Sequence, residues 1–104
     1  METKTLCVSK PLANETVQNK FSAQVVFKNP ASQIIAINFR EGDTMPPHTA
    51  PSDVWVTVLE GNMEITIEQK NYILQKGDYL SFLPNQLHAL RALSDAQILV
   101  FKMN

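Results

Sequence analysis

The sequence predicts an all-β domain, a sandwich or barrel of short antiparallel strands. Three observations point there. Apolar and polar residues alternate with a period of two in several runs, as in Gln33 to Arg40 and Met63 to Glu68. Turn residues break those runs at intervals of about 8–12 residues, the rhythm of sandwiches and barrels. No segment of strong helical period intervenes, which argues against crossover helices and a parallel sheet. With 104 residues, 44% of them hydrophobic, the chain holds one domain around one core.

The elements follow in order. Residues 1–22 read as an N-terminal arm, and 23–104 as the barrel. In the arm, Leu6 and Val8 alternate with polar neighbours as an edge strand would, until Pro11 stops them. Asn14 to Lys20 has weak helical character and too few apolar residues for a core helix. From Ala23 the period is two, with Val25 and Phe27 on one face, and the run ends at Asn29-Pro30. In Gln33 to Arg40, Ile35, Ile37 and Phe39 share a face. Glu41-Gly42-Asp43 turns the chain. Met45-Pro46-Pro47 cannot form a central strand, because proline has no N–H for the ladder. Val54 to Leu59 is a strand, Gly61-Asn62 a tight turn, and Met63 to Glu68 reads as its hairpin partner. Turns at Gln69 to Asn71, Lys76-Gly77-Asp78, Pro84-Asn85 and Ser94-Asp95 separate strands at Tyr72 to Leu74, Tyr79 to Leu83, Leu87 to Leu93 and Gln97 to Met103.

Composition narrows function. Nine basic residues against ten acidic ones, scattered singly, argue against nucleic-acid binding, which needs a cationic surplus. No apolar run approaches the roughly 20 residues of a membrane span, and the first residues do not read as a signal peptide. Cys7 is the only cysteine, so no internal disulfide forms and a cytoplasmic setting is expected. It reads as a small buried apolar residue rather than a reactive thiol.

The chemistry gathers in two stretches, GDTMPPHTAPSDVWVTVLEG from Gly42 to Gly61 and GDYLSFLPNQLHAL from Gly77 to Leu90. Each opens on Gly-Asp, carries proline and holds one of the two histidines, His48 and His88. Over residues 33–103 this spacing resembles the cupins, small double-stranded β-helix (jelly-roll) barrels. In the first cupin motif, Gly42, His48 and Gly61 match; the second histidine of that motif falls on Ala50 and its glutamate on Val54. In the second motif, Gly77 and His88 match, the glycine falls on Asn85, and the final asparagine on Ala92. Asparagine tolerates left-handed backbone nearly as well as glycine.

The resemblance implies a cupin barrel, an RmlC-like homodimer, with a reduced or lost metal site. Metal-binding cupins hold a transition metal with three histidines and a glutamate; here His48 and His88 remain. They are the candidate metal ligands for a weakly held divalent zinc, iron, manganese or nickel ion; otherwise no cofactor is expected. Asp53 and Gln86 are nearby oxygen donors, though strand alternation turns Asp53 away from the face of Val54. Ala50 and Val54 in place of ligands make the barrel mouth apolar and roomier, the form of a small-molecule site. Candidate ligand-binding residues are Met45, His48, Ala50, Val54, Phe82 and His88; Val56 and Leu90 share their parity but read as core.

Three functions compete: a small-molecule-binding, non-catalytic or sensory barrel; a metal-dependent oxygenase or isomerase using His48 and His88; and, last, a metal-free sugar-modifying enzyme, which predicts basic residues around the pocket where few are seen. No residue is singled out as catalytic. Trp55, opposite in parity to Val54, is expected outside the barrel, in a dimer interface or under the chain's own arm. Arg40 and Arg91 lie at strand ends near the motifs, as solvated residues or as partners for a ligand anion.

Overall fold

The computed structural model describes residues 21–103. Nine strands run in order: β1 (Ser22–Asn29), β2 (Ser32–Phe39), β3 (Thr44–His48), β4 (Asp53–Glu60), β5 (Asn62–Ile67), β6 (Lys70–Gln75), β7 (Tyr79–Phe82), β8 (His88–Ala92) and β9 (Ala96–Met103). They form a five-stranded sheet of order β1-β2-β9-β4-β7 and a four-stranded sheet of order β3-β8-β5-β6. Every pairing is antiparallel. The all-β, jelly-roll reading therefore holds. The arm predicted over residues 1–22, including its helical stretch and Cys7, falls almost wholly outside the described residues. β1 starts at Ser22, and Phe21 already packs on the core.

The core fills the space between the sheets. Alternation supplies it: Val54, Val56 and Val58 of β4, Met63 and Ile65 of β5, and Ala96, Ile98 and Val100 of β9 are buried, while the residues between them are more exposed. Met63, Ile65 and Ile98 have no exposed surface, so truncating any of them to alanine costs about 2–5 kcal/mol.

The two Gly-Asp turns are one device used twice. Gly42 and Gly77 have φ of 92° and 91°. In each turn the aspartate N–H donates to a carbonyl three residues back, Asp43 to Arg40 and Asp78 to Gln75, both at 2.9 Å. In each, the aspartate carboxylate accepts from that same residue's N–H, at 2.8 Å from Arg40 and 2.9 Å from Gln75. Each turn is then tied by two backbone bonds to a strand of the other sheet or its end, Gly42 and Asp43 to Ala92, Gly77 and Asp78 to Val58. The repeated letters of the sequence thus correspond to a repeated structure.

Three expectations are corrected. The strand ending at Leu59 and the one after Gly61 are not hairpin partners. β4 lies in the five-stranded sheet and β5 in the other, and Gly61 (φ 83°) carries the chain across. Ser94-Asp95 likewise passes from β8 to β9 between sheets. The true partner of β5 in sequence is β6, through a turn at Glu68 and Gln69, whose φ values are 45° and 79°. This is the left-handed geometry of a two-residue hairpin, formed without the usual Asn or Gly, so β6 begins two residues before the predicted strand. Finally, Val25 and Phe27 do not share a face. A bulge at Val26 sets Val25 opposite Ile35 and Phe27 opposite Ile34, adjacent residues of β2 that point to opposite sides.

Candidate functional site

His48 and His88 face each other because of a second bulge. On β3 and β8, Met45 pairs with Leu90 and His48 with His88, three residues along one strand against two along the other. In a regular strand His48, three places after Met45, would point the opposite way. The extra residue falls at Pro46-Pro47, where the missing N–H groups are tolerated because β3 is a sheet edge. The ring centroids come within 4.3 Å at 64°, edge to face. His88 also stacks on Phe82, centroids 4.1 Å apart and rings 10° from parallel.

Both imidazoles are oriented from behind in the same way. His48 Nδ1–H donates to the carbonyl of Pro46 (2.8 Å), and His88 Nδ1–H to that of Gln86 (2.9 Å). Each ring then presents Nε2 as its free nitrogen, and among the described residues no protein group hydrogen-bonds either Nε2. The two rings touch without hydrogen-bonding one another. His88 is buried and His48 exposed at the mouth. Burial holds the His88 pKa below its ordinary 6.5; the bond to the Gln86 carbonyl opposes this, and the charges of His48 and Lys102 add to it. At neutral pH His88 is therefore an uncharged imidazole with an acceptor at Nε2.

The rings sit at one side of a cavity of about 360 Å³ between the sheets. All six candidate ligand-binding residues, Met45, His48, Ala50, Val54, Phe82 and His88, lie along its wall, as do Val56 and Leu90. β1 and β2 contribute Ala23, Ile35 and Ile37, with Phe21 just before them, and β9 contributes Val100 and Lys102. Sequence reasoning missed these. Parity held the signal for Lys102, the next inward position after Ala96, Ile98 and Val100.

The other proposed donors lie elsewhere. Asp53 is exposed and borders a groove on the outer sheet face with Trp55, Ser81 and Phe101. The Gln86 side-chain oxygen accepts from Leu83 N–H at 2.8 Å, which occupies it in its own loop. Asn85, with φ 66°, takes the left-handed turn position expected of it. Arg91 pairs with Glu64 at 3.2 Å, and Arg40 is exposed. Trp55 leaves the interior, as parity requires, and packs against Phe101 (5.0 Å between centroids) and Tyr79 (5.4 Å).

Among the described residues no three His, Cys, Asp or Glu side chains gather as a metal site. The Nδ1 bonds are those expected behind ligating imidazoles, but two nitrogens fall short of the three or four protein ligands of a retained zinc. Among the described residues the donor set does not fit a tightly held metal. No helix among the described residues is long and apolar enough to cross a membrane.

Comparison with known proteins follows the same lines. Residues 36–102, more than half the chain, match the cupin domain family. A conserved protein of unknown function from Streptococcus pyogenes superposes with a TM-score of 0.78 at 26% identity, covering 85% of this chain and 77% of that one. A cupin superfamily protein from Desulfitobacterium hafniense gives 0.79 at 19% identity, over 86% and 82%. A salicylate 1,2-dioxygenase variant from Pseudoaminobacter salicylatoxidans gives 0.74 at 16% identity, over 80% of this chain and 26% of that one. No match was found among curated proteins.

Proposed function

The chain belongs to the cupin family, and on that premise we propose that it binds a small molecule inside its barrel, without a resident metal, as a non-catalytic or sensory module. The observation that carries this reading is the cavity of about 360 Å³, within the range of small-molecule sites, with a mostly apolar wall, two imidazoles, one lysine and, among the described residues, no carboxylate. The cupin resemblance puts two further metal donors at the positions of Ala50 and Val54, and both of these side chains line the cavity.

A second reading, a metal-dependent oxygenase or isomerase using His48 and His88, is favoured by the carbonyl behind each Nδ1, which leaves each Nε2 free to take a ligand. The same fold carries dioxygenase chemistry in the Pseudoaminobacter protein. Metal content separates the two. The protein purified without chelator is compared with its His48→Ala, His88→Ala variant. Absence of near-stoichiometric transition metal in both supports the first reading; metal present in the parent and lost in the variant establishes the second.

We further propose a cytoplasmic homodimer. The compartment rests on the single cysteine. The dimer rests on the outer face of the five-stranded sheet, where Trp55 and Phe101 adjoin exposed Tyr79, Leu83 and Met103, an apolar patch of the kind that marks interfaces. A monomer mass in light scattering at micromolar concentration rules the dimer out.

A further inference from the structure

We propose that the barrel takes a small monocarboxylate with an aromatic or branched apolar body, its carboxylate held by Lys102. The proposal deepens the small-molecule reading and rests on it. Among the described residues Lys28, Arg40, Lys70, Lys76 and Arg91 are all exposed, and Lys102 alone among the basic residues is half-buried. Its place is fixed by the ladder. β9 runs between β2 and β4, and Lys102 lies opposite Val54 on β4, which in turn lies opposite Phe82 on β7. The inward row is therefore Lys102, Val54, Phe82, and Phe82 carries it on to His88 by stacking.

A cation so placed needs a counter-charge. Among the described residues the ion pairs are Lys76–Glu60 and Arg91–Glu64, neither involving Lys102, and the cavity wall contains no Asp or Glu. Desolvating an ammonium without a partner is unfavourable, and a neutral ligand filling the cavity would do that. A ligand bringing its own single negative charge removes the penalty and gains a charge-assisted hydrogen bond. One ammonium suits a monocarboxylate. A phosphate dianion calls for several donors, and this wall does not offer them. Size and shape agree. A cavity of about 150 Å³ holds benzene, so about 360 Å³ accommodates a substituted ring or branched chain with its carboxylate. The Phe82–His88 stack offers that ring a flat wall.

The test is calorimetric titration of 4-methylbenzoate and 4-methylbenzamide, equal in shape and different in charge, into the intact protein and its Lys102→Met and Lys102→Arg variants. The acid is expected to bind the parent at least about tenfold tighter than the amide, the scale of one charged hydrogen bond. Lys102→Met is expected to abolish that preference while keeping amide affinity, and Lys102→Arg to preserve it. Equal binding of acid and amide by the parent overturns the carboxylate assignment and leaves the barrel as a binding site, with Lys102 merely extending its ammonium to water. A preference that survives in Lys102→Met also overturns it. No binding of either probe at millimolar concentration removes both the assignment and the small-molecule reading it rests on. If Lys102→Met fails to fold, Lys102→Gln takes its place in the comparison.

Discussion

Replacing Gly61 by alanine is expected to damage this fold far more than the same change at Gly42 or Gly77. All three glycines are left-handed, with φ of 83°, 92° and 91°. Alanine there costs roughly 1–2 kcal/mol in backbone strain, offset in part by about 0.4–1 kcal/mol from the stiffer unfolded chain. At Gly42 and Gly77 a new Cβ meets nothing within 4 Å, so the net loss is about 1 kcal/mol. At Gly61 the Cβ collides with the carbonyl oxygen of Asp95 and lies 2.8 Å from both Cα and Cβ of Ala96. Those atoms belong to the passage from β8 to β9, which crosses between sheets beside the passage from β4 to β5. The two crossings are bonded to each other, Leu93 N–H to Asn62 O at 2.9 Å and Asn62 N–H to Ser94 Oγ at 3.0 Å. Backbone cannot swing aside as a side-chain tip would, so overpacking adds about 1–3 kcal/mol. Gly61→Ala should therefore lose about 2–4 kcal/mol, or roughly 10–20 °C in midpoint for a domain of this size. Guanidinium unfolding of the three variants, with unchanged m, measures it. A Gly61→Ala loss no greater than those of the other two would refute the argument.

Two further outcomes are expected. Because the His88 pKa is lowered on folding, the unfolded chain takes up a proton that the native state refuses once pH falls below 6.5. Stability should be flat in this group above pH 6.5 and fall below it until the native imidazole titrates, with a slope of at most about 1.4 kcal/mol per pH unit. Subtracting the profile of His88→Phe isolates this contribution, and identical profiles would contradict it. The double variant Ala50→His, Val54→Glu places four donors around one cavity. It should be less stable than the parent without metal, since Val54 is only 3% exposed and a carboxylate in its place would be a buried charge. Added zinc should then raise its unfolding midpoint by mass action. A midpoint indifferent to zinc would show that the four positions do not converge.

Much of this architecture was legible in local pattern. Alternation alone sets Val54 inward and Trp55 outward, and the structure agrees on both. The Gly-Asp turns and the left-handed Asn85 follow from residue chemistry that acts within three or four positions. The six candidate ligand-binding residues could be collected from parity and motif spacing, and they line one cavity, from both sheets. The missed residues have identifiable causes. Ala23 comes from a strand whose bulge breaks its own period, and Phe21 precedes that strand. Lys102 is distant from both motifs along the chain, while the ladder brings the end of β9 beside Val54.

By itself the sequence determined the strand class, the turn positions, the face of most side chains and the cupin resemblance, because each depends on backbone sterics and period-two geometry over a few residues. Only the tertiary structure decided which strands pair, that β4 and β5 part company at Gly61, that the proline bulge turns His48 toward His88, and that a lysine shares their cavity. Those outcomes depend on hydrogen bonds and packing between residues far apart in the chain, and a short-range pattern carries no record of its distant partner.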